Sequence, residues 1–228
     1  MNNTPKTLLI TAADLDADRV YVGALNVSNW SGHIVIEGGL GCVKFRTSLC
    51  ASLSIFAKAG SGIKAGDGIE AGWGIEAGWG IEAGWGIEAG RGIEAGDGIE
   101  AGWGIEAGWG VKAGDGIEAG SGIEAGSGIE AGDGIKAGSG IKAGWGIEAG
   151  DGIKAGDGIE AGRGIEAGWG IEAGLSVAAK WVSVRRRIFA GLCMWKIPDA
   201  AEMQIRAALH EGTISFGEHV PPETEAKE

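Results

Sequence analysis

The side chains best suited to molecular recognition are tryptophans that recur at multiples of six residues. There are seven of them: Trp73, Trp79, Trp85, Trp103, Trp109, Trp145 and Trp169. Each lies between two glycines, at a position that elsewhere in the chain holds Asp, Ser or Arg. A position that accepts charged residues must face water. Rows of exposed aromatic side chains are typical of contact surfaces, so we predict an interaction surface here. The alternative is that the rings only stack on neighbouring corners.

A second candidate group is an acidic stripe of aspartates at intervals of eighteen residues: Asp97, Asp115, Asp133 and Asp151. In one row, these like charges would repel one another and could attract divalent cations. Lys136 and Lys154 each follow an aspartate by three residues, so we expect them to neutralise the row. The nonapeptide pattern of calcium-binding β-rolls is absent from the sequence. We therefore predict no metal site and no cofactor.

A third group is basic. Arg185, Arg186 and Arg187 lie in a segment, 180–196, that has five basic and no acidic residues. Such a cluster could bind nucleic acid or phosphate. We prefer the interpretation that it is a solvated edge, which deters end-to-end pairing or meets the acidic faces of another copy.

The element that must position these residues is a hexapeptide repeat. The unit Ile-Glu-Ala-Gly-X-Gly occurs nineteen times from Ile63 to Ile171, with Lys in place of Glu in five units. Val111 is the one replacement at the Ile position, and the last unit ends in Leu-Ser. The second position of the repeat holds either Glu or Lys, so it faces water, whereas Ile and Ala suit a core. The pattern predicts a short strand followed by a Gly-X-Gly corner, and a period this short predicts a solenoid. We expect both corner glycines to be required by a positive φ or a close backbone approach.

The number of repeats in each coil follows from the X residues. Their identities recur five times in seventeen comparisons at a spacing of eighteen residues, but only twice in eighteen at a spacing of twelve. Three hexapeptides per coil are therefore predicted, with two as the alternative. At eighteen residues per coil, Arg91 and Arg163 would each lie next to Trp, as a cation–π stack favours.

The repeat resembles that of hexapeptide-repeat proteins with a left-handed β-helix, in which an aliphatic residue recurs every six positions and three hexapeptides make a turn. Bactofilin-like solenoids are a further possibility. The resemblance lies in the period and is not a close motif match. It implies an all-β fold, a single elongated parallel β-solenoid with triangular coils that is capped at both ends. Acyltransferases of the family generally use a His near coil junctions. This chain has only His33, His210 and His219, none in the repeats, so we predict no enzyme and no catalytic residue, with acyl transfer as a weak alternative.

Four regions are predicted. Residues 1–35 form an N-terminal tail and cap strands, and 36–193 form the solenoid, with its exact repeats at 61–174. Residues 194–220 form a C-terminal cap, which is a β-hairpin around the turn signal Glu211-Gly212 or, alternatively, a short helix beginning near Pro198. Residues 221–228 are charged and predicted to be disordered.

The net charge of −12 resides in the repeats, which hold twenty acidic and seven basic residues. Direct nucleic-acid binding by the repeats is therefore not expected, whereas a basic partner is. No apolar run is long enough for a signal peptide or a membrane span. Cys42, Cys50 and Cys193 are too few for a disulfide framework. These observations predict a cytoplasmic protein without membrane contact.

The leading functional hypothesis is a non-enzymatic interaction or structural protein that uses its acidic and Trp-lined faces. Its partner would be a protein with a basic or aromatic-accepting surface, or a second copy. One alternative is an inhibitor that mimics a nucleic acid and occupies a DNA-binding protein. Another is a scaffold that forms filaments end to end.

Overall fold

The computed structural model describes residues 5–222 and consists of one parallel β-solenoid of about ten turns. Strands of the repeats pair with the strands eighteen residues away, as when Ile87 aligns with both Ile69 and Ile105. The predicted all-β class and the three hexapeptides per coil are confirmed. The described part of the chain contains two short 3-10 turns, Ala12–Asp14 and Ala201–Met203, and no α-helix. It has no helical segment long and apolar enough to span a membrane.

The strands stack in three columns, which we call faces A, B and C. Face A contains β3 Gly41–Phe45, β6 Ser61–Ala65, β9 Ile81–Ala83, β12 Ile99–Ala101, β15 Ile117–Ala119, β18 Ile135–Ala137, β21 Ile153–Ala155 and β24 Ile171–Ala173. Face B contains β4 Leu49–Ala51, β7 Ile69–Ala71, β10 Ile87–Ala89, β13 Ile105–Ala107, β16 Ile123–Ala125, β19 Ile141–Ala143 and β22 Ile159–Ala161. Face C contains β1 Thr7–Ile10, β2 His33–Ile36, β5 Ile55–Ala57, β8 Ile75–Ala77, β11 Ile93–Ala95, β14 Val111–Ala113, β17 Ile129–Ala131, β20 Ile147–Ala149 and β23 Gly164–Ala167. The last strands are β25 Val177–Ala190, β26 Gln204–Phe216 and β27 Glu218–Val220.

Most repeat strands are three residues long, from Ile to Ala, whereas β6 and β23 also include one or two residues of the preceding corner. The Ile and Ala positions are buried at every repeat, and the Glu or Lys between them points outward. The backbone amide of the isoleucine donates to a glycine carbonyl of the following coil, as Ile105 does to Gly122 at 3.0 Å. The core is therefore a continuous aliphatic column, and each coil closes it only with the help of its neighbours.

The two corner glycines have different roles. A Cβ on Gly120, which follows Ala, would lie 2.0 Å from the carbonyl oxygen of Gly102. A Cβ on Gly122, which precedes Ile, would lie 3.3 Å from the carbonyl oxygen of Gly140. No glycine of the exact repeats has a positive φ. Close backbone approach thus explains the first glycine of each corner. The second glycine is also in close contact with the neighbouring coil, but at Gly122 that contact is looser than the one at Gly120.

The first coils are longer than the later ones. Val43 aligns with Ile63 at a spacing of twenty residues, and Thr7 aligns with His33 across a longer excursion. The extra residues form corners at Gly39, Gly41 and Gly60, all of which have positive φ. The stack begins at Thr7, ahead of the predicted solenoid start at residue 36.

The C-terminal end continues the stack instead of reversing direction. Strand β25 crosses all three faces and aligns Val182 with Ile165, seventeen residues earlier. Strand β26 runs parallel to β25, and β27 runs parallel to β26. The predicted hairpin is wrong because Gly212, at φ 111°, bends one strand around a corner against Val184. The alternative helix is reduced to the turn Ala201–Met203. Of the tail predicted at 221–228, residues 223–228 lie outside the described residues.

Candidate interaction surface

Backbone hydrogen bonds fix the X residues in three rows along the rod. After the first residue of each row, the amide of every X residue except Asp97 donates to the carbonyl of the X residue one coil earlier, as Trp103 does to Trp85 at 3.1 Å. The Arg–Trp corner, between faces B and C, consists of Trp73, Arg91, Trp109, Ser127, Trp145 and Arg163. The Asp corner, between faces C and A, consists of Ser61, Trp79, Asp97, Asp115, Asp133, Asp151 and Trp169. The Ser corner, between faces A and B, consists of Asp67, Trp85, Trp103, Ser121, Ser139 and Asp157. Side chains in one row are therefore about 4.8 Å apart, the spacing of hydrogen-bonded strands.

All seven predicted tryptophans are exposed. The accessible fraction ranges from 44% for Trp73 and Trp79 to 68% for Trp103. The corner backbone holds each ring outside the core, as the charged and polar residues at other X positions predicted. The rod therefore presents aromatic surface that its own fold does not cover.

Several of the rings also stack along the rod. The guanidinium carbon of Arg91 lies 4.8 Å from the ring centroid of Trp73 and 5.7 Å from that of Trp109. Arg163 lies over Trp145 at 5.4 Å. The predicted cation–π contacts of both arginines are confirmed, and each arginine holds a neighbouring ring in place.

The Ser corner holds a second kind of stack. Trp85 and Trp103 lie on successive coils with ring centroids 6.2 Å apart and an interplanar angle of 20°. Both rings remain more than half exposed. Stacking between these two rings therefore leaves both of them accessible to solvent.

The predicted acidic stripe forms the middle of the Asp corner. Backbone hydrogen bonds link successive aspartates, and the amide of Asp133 donates to the carbonyl oxygen of Asp115 at 3.2 Å. Lys154 pairs with Glu172 at 2.7 Å, and Lys136 pairs with Glu118. The expectation that these lysines neutralise the aspartates is wrong, because a residue of the same face one coil away is nearer than a sequence neighbour around the corner. Within residues 5–222, none of the four aspartates forms an ion pair.

Lysines and glutamates thus form ladders along the faces. Lys112 Nζ lies 2.8 Å from Glu130 on face C, and this hydrogen bond raises the pKa of Lys112. Lys64 pairs with Glu82 on face A, and the same cause raises its pKa. These pairs are exposed, so each adds little to stability. They neutralise some of the glutamates, and the faces keep a negative charge where glutamates have no lysine partner.

Grooves run along faces A and C, where glycines leave the backbone uncovered. The face A groove has a volume of about 1410 Å³, and its lining includes the row of glycines that precede Ile, with Trp79 and Trp169. Arg185, Arg186 and Arg187 lie at its C-terminal end. Arg186 stacks on Trp169 at 4.9 Å. The predicted basic edge therefore forms one end of the chain's own face A groove.

A face C groove of about 790 Å³ runs beside the Arg–Trp corner. It is lined by a row of glycines together with Glu130, Trp145, Glu148 and Arg163. Carboxylates, an aromatic ring and a guanidinium therefore border one channel that is open along the rod.

An apolar loop between β25 and β26 was missed by sequence reasoning. Met194 is wholly exposed, Ile197 is 97% exposed, and Trp195 is 66% exposed. Lys196 lies over the Trp195 ring at 5.3 Å and pairs with Glu202. The sequence did contain a signal for this loop, an apolar run before Pro198 at the point where the repeat pattern stops. These side chains are exposed because no inward-facing position of the coil remains for them.

The other reactive groups are scattered. Cys42, Cys50 and Cys193 are free, and burial raises the pKa of Cys42 and of Cys50. His33 contacts Trp73 edge-on, whereas His210 stacks on Trp181. Among the described residues, no group of three or more His, Cys, Asp or Glu side chains could hold a metal ion.

The comparisons with known proteins are negative. No family model, curated protein or solved structure matches the chain. Function must therefore be inferred from the chain's own corners and grooves.

Proposed function

We propose that this protein is a non-enzymatic interaction element that binds a basic protein partner through its Trp-lined corners and acidic faces. The observation that carries the proposal is the exposure of seven tryptophans on corners that backbone hydrogen bonds hold in register. Tryptophan is enriched among residues that dominate binding energy at protein interfaces. Its regular presence on a water-facing edge is best accounted for by a partner that covers it.

The rigidity of the corners supports the proposal. Association costs the entropy of ordering side chains and loops at an interface. Here the corner backbone is already hydrogen-bonded on both sides, and Arg91 and Arg163 hold three of the rings. Little ordering remains for the bound state, so even a modest contact area can give useful affinity.

Charge supports a basic partner in particular. The repeats carry twenty acidic and seven basic residues, and the aspartates of the Asp corner have no ion pair in the described chain. A field of one sign along a rod increases the rate of encounter with oppositely charged proteins. The tryptophans would then supply the contacts that slow dissociation.

The proposal is tested by capture from native lysate with two matched variants. In the first, Trp85 and Trp103 become serine, the residue that the same corner already holds at Ser121 and Ser139. In the second, Asp67 and Asp157 of that corner become serine. We expect the Trp variant to lose the partners that the wild type and the Asp variant retain at high salt. Equal capture by all three proteins would contradict the proposal.

A second candidate is a nucleic-acid mimic that occupies a DNA-binding protein. The unpaired aspartate row of the Asp corner favours it, because a regular line of carboxylates resembles a line of phosphates in charge. Such a mimic would lose affinity steeply as salt rises. It would also tolerate both Trp→Ser changes, so the same capture experiment separates it from the leading proposal.

A further inference from the structure

The Arg–Trp corner contains one complete sandwich. Arg91 lies between Trp73 and Trp109, whose rings are two coils apart, a distance of roughly 10 Å. The guanidinium carbon lies over both rings, 4.8 Å from the centroid of Trp73 and 5.7 Å from that of Trp109. The chain thus contains its own example of what a pair of tryptophans at this spacing accepts.

The same spacing recurs one step along, without the arginine. Trp109 and Trp145 are also two coils apart, and the residue between them is Ser127. Arg91 covers Trp109 from one side, and Arg163 covers Trp145 from the opposite side. The two remaining ring faces are therefore directed toward Ser127, whose short side chain cannot cover them. In residues 5–222, no cationic or aromatic side chain lies over those two faces.

We propose that the slot formed by Trp109, Ser127 and Trp145 receives an arginine side chain of a basic partner protein. This inference rests on the proposed function and names the chemistry of its central contact. A guanidinium is planar, stacks on aromatic faces and is weakly hydrated, whereas a lysine ammonium is compact and strongly hydrated. The slot therefore selects arginine over lysine.

The surroundings of the slot complement a cation. Trp145 lines the face C groove together with Glu130 and Glu148. Lys112 partly neutralises Glu130, but Glu148 forms no ion pair within the described chain. Glu124, three residues before Ser127, approaches Lys142 only to 3.9 Å. An arginine in the slot would find carboxylates on both flanking faces, and the groove offers a path for its main chain.

Charge also indicates that the arginine belongs to another protein. Each copy of this chain has a net charge of −12, so two copies repel one another over their acidic faces. A partner rich in arginine is attracted to the same faces. The side chain that enters the slot therefore belongs to an arginine-bearing segment of a basic protein.

The test uses two peptides of equal length and charge, one of alternating Arg and Gly and the other of alternating Lys and Gly. Binding is followed by calorimetry and by quenching of tryptophan fluorescence. We expect the arginine peptide to bind the wild type about tenfold more tightly than the lysine peptide. Ser127→Arg places in the slot the residue that this corner already holds at Arg91 and Arg163, and should remove the preference. Ser139→Arg adds the same charge on the Ser corner and should retain it.

A second variant guards against misfolding of the first. Trp109→Ser removes one wall of the slot while Arg91 keeps its stack on Trp73, and it should also abolish the preference for arginine. Equal binding of the two peptides to the wild type would overturn the slot, as would an undiminished preference in Ser127→Arg. Wild-type dimers that dissociate in Ser127→Arg would assign the slot to a second copy and overturn the basic partner.

The outcome also separates this inference from the proposed function. If the serine variant of Trp85 and Trp103 loses its captured partners but Ser127→Arg binds both peptides as the wild type does, the slot fails and the interaction role survives. If neither change affects binding, both proposals fail.

Discussion

The Cβ position of Gly120 lies 2.0 Å from the carbonyl oxygen of Gly102, whereas that of Gly122 lies 3.3 Å from the carbonyl oxygen of Gly140. Two glycines of one corner therefore differ in how much room the neighbouring coil leaves. The first overlap can be relieved only by moving backbone against backbone. The second is a tight contact that a small shift accommodates.

This difference predicts unequal effects of alanine. Gly120→Ala should lower the free energy of unfolding by about 3 kcal/mol or prevent folding, because overpacking displaces a hydrogen-bonded corner. Gly122→Ala should change it by less than about 1 kcal/mol, since reduced freedom of the unfolded chain offsets the close contact. Chemical denaturation followed by far-ultraviolet circular dichroism measures both. Similar losses in the two variants would contradict this account of the corner.

The sandwich around Arg91 predicts a local effect on two tryptophans. Arg91→Ser installs the residue found at Ser127 in the same corner, and should expose Trp73 and Trp109 further. We expect a loss of about 1 kcal/mol in stability, because two cation–π contacts disappear. Quenching of tryptophan fluorescence by acrylamide should increase relative to the wild type. Arg185→Ser, which changes the same charge without removing a described stack, is the control and should leave quenching unchanged.

The Lys112–Glu130 pair predicts a dependence on alkaline pH. Its hydrogen bond raises the pKa of Lys112 above the ordinary value of 10.5. The stabilisation is therefore fully present below that value and is lost as the pH rises through the folded-state pKa. Lys112→Gln should lower the melting temperature slightly at neutral pH, and the difference should vanish in strongly alkaline buffer. Lys142→Gln, whose pair with Glu124 is longer at 3.9 Å, should show a smaller difference throughout. A difference that persists at alkaline pH would contradict the assignment.

The apolar loop predicts a substitution without a stability cost. Met194 and Ile197 are almost wholly exposed, so neither contributes to the core. Replacing both with serine should change the free energy of unfolding by less than about 0.5 kcal/mol. Replacing the buried Ile188 with serine is the positive control and should strongly destabilise the last coils. A large loss in the loop variant would mean that these side chains pack in solution.

The core could be predicted from the sequence because its six-residue period is compatible with one arrangement of inward-facing residues. Ile105 and Ala107 recur at every sixth position, and only a coiled sheet buries both while it exposes Glu106. The rows of corner residues followed from the eighteen-residue recurrence, and with them the stacks of Arg91 and Arg163.

What could not be predicted depends on geometry between coils. Glu211-Gly212 reads as a hairpin turn, but the edge of β25 was available for parallel pairing, so Gly212 bends β26 around a corner. Lys154 is three residues from Asp151 in sequence, yet it pairs with Glu172 because the ladder aligns position 154 with position 172. Both errors come from treating neighbours in the chain as neighbours in space.

The same two residues, Ile and Ala, fill the interior on all three faces, and this has a consequence for how the gene can change. Loss or duplication of eighteen codons by unequal crossing-over would shorten or lengthen the rod while every remaining corner residue stays in its own row. Loss of six codons would leave the interior equally well filled but rotate the downstream half by a third of a turn. A deletion of that size between Trp109 and Ser127, for example, would bring Asp133 beside Trp109. Such a gene can reshuffle its outer pattern in single recombination events without endangering the inside.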